Sequence, residues 1–561
     1  MIRLYIFCIL SMAIAGSCSK GSSPTPPPPI PPVVPPAALT ALLVKINNET
    51  LVDANSYNNA LTAVVRCSFT APVNRTTTGT NISFAENSGA AVNFSLLYEN
   101  GDSTLVLQPV APLKNITQYK VNIFTGLKSV AGGSLSAELF ANFFTKIDST
   151  PKFPTLTNDE LLTKIQQQTF KYFWDFAHPV GGLARERSNG DNEVVTSGGS
   201  GFGIMAIPVA ISRSFVSRAD GLVRLQKIVS FLKNTAQKIH GAFPHWLNGT
   251  SGVVIPFSNK DDGADLVETS YLMAGLLTAR QYFDRSDVAE TTLRDDINVL
   301  WNNVEWDWFR KNNQDVLYWH WSNTFNWDMN VPIRGWNECL VTYVLAASST
   351  THSIPATVYK NGWAGGAGFT NGASYYGYQL PLGTPQGGPL FFSHYSFLGI
   401  NPNGLQDVYA NYTTQTTNHT LINYNYCKTN PANNFGYSAD CWGLTASDIK
   451  NGYTASSPTN DVGVIAPTAA LSSFPYSPVE SMKALKFFYY TLGDKIFKEY
   501  GFVDAFALKD LWYANSFLAI DQGPIIVMLE NYRTALLWNL FTSCPEVKAG
   551  MKKLSFTAPY L

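Results

Sequence analysis

A chain of 561 residues is longer than one hydrophobic core usually organises, so two or three folded units are expected. Hydrophobic residues make up 45% and charged residues 14%, with a formal net charge of −1, a balance that supports globular folding and excludes a chain built to hold nucleic acid by bulk charge. Aromatic residues reach 13%, which suits either large aromatic cores or surfaces that stack on the apolar faces of sugars.

The first eighteen residues read as a targeting segment. Arg3 precedes an apolar run from Leu4 to Ala15, too short to span a bilayer, and Ala15, Gly16 and Ser17 lead into Cys18. That ending resembles a bacterial lipobox, which implies that Cys18 becomes the lipidated N-terminus of the mature chain. Residues 19–37 start small and polar, and the proline-dominated run Pro24 to Pro36 is expected to form an extended tether. Membrane contact is thus expected through a lipid anchor, as in an outer-membrane lipoprotein. With no acidic cluster after Cys18, the periplasmic side is favoured over the cell surface. Cys67, Cys339, Cys427, Cys441 and Cys544 show no zinc-site spacing. Cys427 and Cys441 are compatible with a disulfide or with two free thiols.

Residues 38–147 alternate apolar and polar positions over short runs, as in Asn81 to Phe84, Ser103 to Leu107 and Tyr119 to Ile123. Turn signals such as Glu99 to Asp102 and Ala131 to Gly133 separate them. A small all-β sandwich is expected, and the pattern from Leu105 to Tyr119 with the closing Phe143, Phe144 and Thr145 resembles bacterial Ig-like domains. It carries no site chemistry and reads as a spacer.

From 154 to 561 the periodicity becomes helical. Leu161, Ile165, Phe170, Phe173 and Phe176 form one apolar face of a helix opening near Asn158. Further helices are expected at about 202–216, 221–239, 263–283, 288–302, 332–347, 478–492, 508–512 and 523–541, with a long loop region from Thr351 to Pro475. Helices without strand alternation argue against a parallel-sheet enzyme and favour an all-α toroid of paired helices, its cleft built from the long loops.

The densest acidic stretch is Asp261, Asp262, Asp265 and Glu268. Asp262 is expected to cap a helix, which would place Asp265 and Glu268 on one face; capping does not account for all four acids together. Glu338, set between Trp336 and the apolar Leu340 and Val341 early in the 332–347 helix, is a candidate general acid, with an ion pair to Arg334 as its competing role. Asp521 is expected before the 523–541 helix, as an N-cap or a catalytic group, and Asp461 as a loop cap. His245 and His394 sit among aromatics and read as sugar-binding or core residues. No phosphate-cradling loop, His-Glu-x-x-His or Gly-x-Ser-x-Gly elbow is present.

At these residues the chain resembles a known family. Gly241 to Trp246, Asp261 to Tyr271, Gly335 to Glu338, Gly383 to Phe391 and Ile520 to Pro524 together resemble the glucoamylase-like bacterial domain of glycoside hydrolase family 144. The resemblance spans about Pro154 to Leu561. It implies an (α/α)6 toroid and inverting hydrolysis of β-1,2-glucan within the chain, giving sophoro-oligosaccharides. Carried over, the acidic pocket falls on Asp261, Asp265, Glu268, Glu338 and Asp521. Glu338 is then the expected acid and Asp261, Asp265 or Asp521 the expected base. Glu268, His245, Trp246, Trp336, Phe391 and His394 are expected to hold the sugar. No metal or organic cofactor is expected, and the protein is expected to act as a monomer. An exo-acting sophorose-releasing hydrolase, another β-glucan specificity and a non-catalytic glycan-binding lipoprotein are the alternatives. The N-terminal sandwich and the aromatic loop from Asn361 to Tyr378 depart from the family pattern and bear on chain-length preference.

Overall fold

The computed structural model describes residues 34–561 except 53, 54 and 367. The lipobox Cys18 and most of the proline tether lie outside the described residues. No helix among the described residues is long and apolar enough to cross a membrane.

Residues 41–145 form two facing sheets. One orders its strands as Glu49–Thr50, Ala41–Ile46, Val65–Phe69, Thr104–Pro109, Phe94–Glu99, and the other as Asn55–Asn59, Leu139–Thr145, Gln118–Ile123, Ile82–Glu86. Alternation decides which side is buried: Val65, Cys67 and Phe69 point inward from one sheet, and Tyr119, Val121 and Ile123 from the other. The Tyr119 hydroxyl accepts the Lys114 N–H at 2.8 Å, so the largest core ring is also pinned at its polar tip. Tyr57 reaches out of this unit. It stacks on Phe144 at 4.4 Å and leans on Phe435 of the helical unit at 5.2 Å.

The helical unit begins with Asn158–Trp174, opened by a reciprocal capping box between Thr157 and Glu160. Its centre is three buried helices, Ser197–Ser212, Leu266–Tyr282 and Ala519–Thr534. They approach closely because glycines face one another. A Cβ on Gly201 would lie 2.2 Å from the Tyr271 carbonyl, one on Gly275 2.2 Å from the Gly201 carbonyl, and one on Gly523 2.4 Å from the Phe202 Cβ. The other main helices include Arg218–Asn234, Val288–Asn302, Leu340–Ser348 and Pro478–Lys486.

Four expectations change. The helix expected from Pro332 begins at Leu340, so Glu338 sits in the preceding turn. The stretch expected as a helix at 508–512 is a short 3-10 turn, Leu508–Asp510, followed by the strand Trp512–Tyr513 paired to Phe506–Ala507. The region expected as loop from Thr351 to Pro475 contains a long helix, Tyr412–Thr429, capped by Asn411. Its buried face is polar: Gln415 and Asn423 bond the backbone of Leu382 and Leu444, so apolar periodicity had nothing to report. The C-terminal helix Pro545–Lys553 was likewise unforeseen. Cys427 and Cys441 are both buried free thiols.

Candidate active-site cleft

A cavity of 560 Å³ opens where four helices begin. Thr196 precedes Ser197–Ser212, Val267 and Glu268 open Leu266–Tyr282, Glu338 precedes Leu340–Ser348, and Leu518 and Ile520 flank the start of Ala519–Thr534. Helix N-termini carry partial positive charge and unused N–H groups, which favours the gathering of carboxylates there. The walls are aromatic, with Trp246, Phe257, Trp319, Phe391, Tyr395 and Tyr453. Tyr453 comes from the hairpin Ala446–Ile449 and Gly452–Ala455. A larger open depression of 1040 Å³ around Trp174 and Arg218 has one carboxylate, Asp220, and no acid pair.

The helix cap near the acidic stretch is Asp265, not Asp262. Its Oδ1 accepts the N–H groups of Val267 and Glu268 at 3.0 and 2.9 Å, and its Oδ2 lies 3.1 Å from His245 Nδ1. Burial alone would raise the Asp265 pKa; the His245 bond, the histidine charges and the backbone donors outweigh it and hold the group below its ordinary value. His245 responds in the opposite sense. Burial lowers its pKa, but the charges of Glu268, Asp265 and Asp261 raise it to about 9, so it is an imidazolium at neutral pH. It stacks on Phe257 at 4.1 Å. Asp261 is 4% exposed, meets His320 Nε2 at 3.4 Å and leaves Oδ1 without a partner. Burial and the Asp265 charge push it to about 7. One ligating atom each from His245, Asp261 and Asp265 falls within 4.8 Å of the others, which is the reach of a divalent cation.

Glu268 points its Oε2 at the Gly198 N–H, 2.8 Å away, with its pKa raised by burial and by Asp265. Glu338 is half-buried on the cavity wall, and enclosure by protein, reinforced by the charges of Glu268 and Asp265, raises it to about 7. Those two acids, rather than Arg334, are the charges that act on it. Asp521 lies in the first turn of its helix, where Leu518 is the N-cap, so its expected capping role is replaced by a partnership with Asp504.

Two expected sugar contacts are core residues instead. Trp336 is 4% exposed, packs against Trp363, Phe397 and Tyr412, and does not line the cavity. His394 is 2% exposed, with Nε2 3.0 Å from the Ser473 hydroxyl, and burial lowers it to about 3, so it stays neutral. The aromatic neighbours of His394 in sequence are thus core packing rather than a sugar platform, and Trp336 faces the core although the nearby Glu338 faces the cavity. Trp246 and Phe391 do line the cavity. Asp461 caps its loop, accepting from Tyr426, Asn434, Tyr437 and Gly463.

Sequence reasoning missed His320, Glu186, Arg187, Asp448 and Asp504. Arg187 bonds both Asp448 oxygens at 3.2 and 3.3 Å and Glu186 at 2.9 Å, and Glu186 and Arg187 line the cavity. A signal existed for some: Arg185, Glu186 and Arg187 form a charged triplet in a chain poor in charge, and Asp504 is a lone acid in the apolar run Phe502 to Phe506. His320 shared the signal that marked His245, a histidine set among aromatics from Tyr318 to Trp321, but its place beside Asp261 and Asp265 exists only because its strand pairs with Ala264–Asp265 in the folded chain.

The cleft thus sets acids whose pKa values are shifted in opposite directions on rigid helix ends beneath aromatic walls. Residues 330–545 match the family described as "putative glucoamylase", and residues 47–145 match a bacterial Ig-like domain. An endo-β-1,2-glucanase from Chitinophaga pinensis, solved with sophorotriose and glucose, is 52% identical, with 72% of this chain and all of that one covered at a TM-score of 0.71. A β-1,2-glucanase structure from Parabacteroides distasonis is 37% identical over 93% of this chain and 74% of its own, at a TM-score of 0.70. An exo β-1,2-glucooligosaccharide sophorohydrolase acting at the non-reducing end, also from Parabacteroides distasonis, is 45% identical over 420 residues, 71% of this chain. The chain spans 58% of the length of that curated relative. This chain belongs to the glucoamylase-like family, the family 144 type of glycoside hydrolase, with a bacterial Ig-like domain in front.

Proposed function

We propose that this chain hydrolyses β-1,2-glucan, cleaving within the polymer to release short sophoro-oligosaccharides with inversion at the anomeric carbon. The reading is carried by Glu338, a cavity-wall carboxyl whose pKa of about 7 keeps it largely protonated at slightly acid to neutral pH. Glu338 donates its proton to the leaving glycosidic oxygen. Water on the opposite face needs a carboxylate. Asp265 spends both oxygens on its cap and on His245, and Asp261 is directed at His320 and holds its proton up to about 7. Of the three expected bases this leaves Asp521, which sits beside the cavity-lining Ile520 without itself lining the cavity. Glu268, His245, Trp246 and Phe391 hold hydroxyls and ring faces. The helices of residues 154–561 are proposed to close as an (α/α)6 toroid, a reading supported by the cluster of helix N-termini at one cavity.

Purified protein on linear β-1,2-glucan should give a mixture of oligosaccharides from the earliest times, with the optical rotation of an inverted product. Sophorose alone from the start would instead establish exo action, which the sophorohydrolase relative favours. No release of reducing sugar would remove the hydrolase reading.

We also propose lipid anchoring at Cys18, on the periplasmic face of the outer membrane. Cys18→Ala should abolish acyl labelling and shift the protein from the detergent phase to the aqueous phase. Unchanged partitioning would overturn the anchor.

A further inference from the structure

Beside the cavity-lining Leu518 and Ile520, the first turn of Ala519–Thr534 meets acids that no motif marked. Asp521 is 1% exposed and Asp504 2%, and their carboxyls lie within hydrogen-bond reach of each other. Each has one buried oxygen with no donor in the protein, Oδ1 of Asp504 and Oδ2 of Asp521. The other oxygen of Asp504 accepts the Asp448 backbone N–H at 2.6 Å. Asp448 is itself fixed by Arg187 and by the Ser516 hydroxyl, so the frame around the pair is rigid.

Two touching carboxylates out of water do not both ionise, because like charges at that range repel strongly where the dielectric is low. Nor do buried oxygens stay unpartnered without cost. A single proton between the two carboxyls removes both penalties. The Arg187 charge favours ionisation of both carboxyls, but its hydrogen bonds go to Asp448 and Glu186 and the two unpartnered oxygens receive none of them.

We propose that Asp504 and Asp521 share one proton as a unit, and that Asp504 is the positioning residue that keeps Asp521 aimed and able to accept a proton from the attacking water. The second half rests on Asp521 being the base, as argued above. The proton balance closes. As the water oxygen bonds the anomeric carbon, its proton passes to the pair, which goes from one proton to two. The bond to the leaving oxygen breaks with its electron pair, and that oxygen takes the Glu338 proton. Solvent then restores both groups.

Burial and the Asp448 charge push Asp504 up to about 7 against the opposing pull of its bond to Asp521, and burial with the Asp504 charge raises Asp521 well above the usual carboxylate range, in keeping with a proton retained at neutral pH. The other titratable groups facing the pair are Asp448, Arg187, Tyr453, Tyr395 and Tyr172.

The test uses the full chain with Asp504→Asn, whose amide can donate a fixed hydrogen bond but cannot trade a proton. The infrared difference spectrum, wild type minus variant at pH 7, should show a protonated-carboxyl band lost from the pair. Turnover should fall roughly tenfold or more with KM nearly constant, and Asp504→Glu should recover part of it. Asp521→Asn should remove the same band, which keeps the test available if one variant folds poorly by circular dichroism. Retention of the band in both variants would overturn the shared proton. Its loss with wild-type kcat, or with a change confined to KM, would overturn the positioning role. If the wild type leaves β-1,2-glucan intact, the hydrolase reading falls and takes the positioning role with it, while the infrared result still decides the shared proton.

Discussion

Glu338→Gln should lower turnover on β-1,2-glucan by about 10² to 10⁴ with little change in substrate binding. The amide keeps the shape and most of the hydrogen bonding of the protonated acid but has no proton to give. In the wild type, activity should decline as pH rises through about 7, because that is where Glu338 loses its proton; the variant should lose this limb. An aryl leaving group that needs no protonation should restore much of the variant's rate. Stability gives an independent check. Enclosure raises the folded pKa of Glu338 above its unfolded value, so the acid costs stability above the unfolded pKa, and the cost is complete once pH exceeds about 7. The variant should therefore melt no earlier than the wild type at neutral pH and somewhat later at alkaline pH. An early-melting, fully active variant would mean that Glu338 is structural. If more than about a tenth of turnover survives, well below the loss expected for a general acid, Glu268 is the next acid to test.

Arg213→Met should destabilise the helical unit by about 3 kcal/mol, the low end of the cost of stranding a buried carboxylate. Glu530 is 1% exposed and receives a two-pronged bond from Arg213 at 2.8 and 2.9 Å, with further donors in Gln166 and Thr534. Its position ties Ala519–Thr534 to Asn158–Trp174 and to the end of Ser197–Ser212. The low end applies because Arg213 is 21% exposed and water can partly replace it. Burial pushes the Glu530 pKa up, but these donors outweigh it and hold the group below 4.5. The stabilisation is thus present above about pH 4.5 and lost as pH falls through the lower, folded pKa. The deficit of Arg213→Met in urea unfolding should shrink on acidification, as the stranded carboxylate protonates. Adding Glu530→Leu should recover part of the loss at pH 7. No recovery would assign the cost to lost packing around Arg213 instead of to the buried charge.

The amino-acid sequence by itself determined the division into a β unit and a helical unit, and it marked most of the cleft's acids. Alternation over two residues and over three to four residues are local signals, and they survive because Tyr119, Val121 and Ile123, or Leu161 and Ile165, must each turn the same way to be buried. Asp261, Asp265 and Glu268 stood out as a cluster of like charges that capping does not explain, and Glu338 and Asp521 as single acids beside apolar runs. What each of them does was decided by the fold. Asp265 rather than Asp262 became the cap because the strand Ala264–Asp265 pairs with His320–Trp321 and sets where the helix starts. The Tyr412–Thr429 helix escaped notice because its buried side is satisfied by hydrogen bonds to chain segments far away in sequence. Trp336 and His394 went to the core, and Asp504 came to Asp521, through contacts between residues that only packing brings together. A pKa depends on distance and enclosure, and neither is written along the chain. The identity of the acids was therefore sequence information, and their division into ionised, protonated and shared was tertiary.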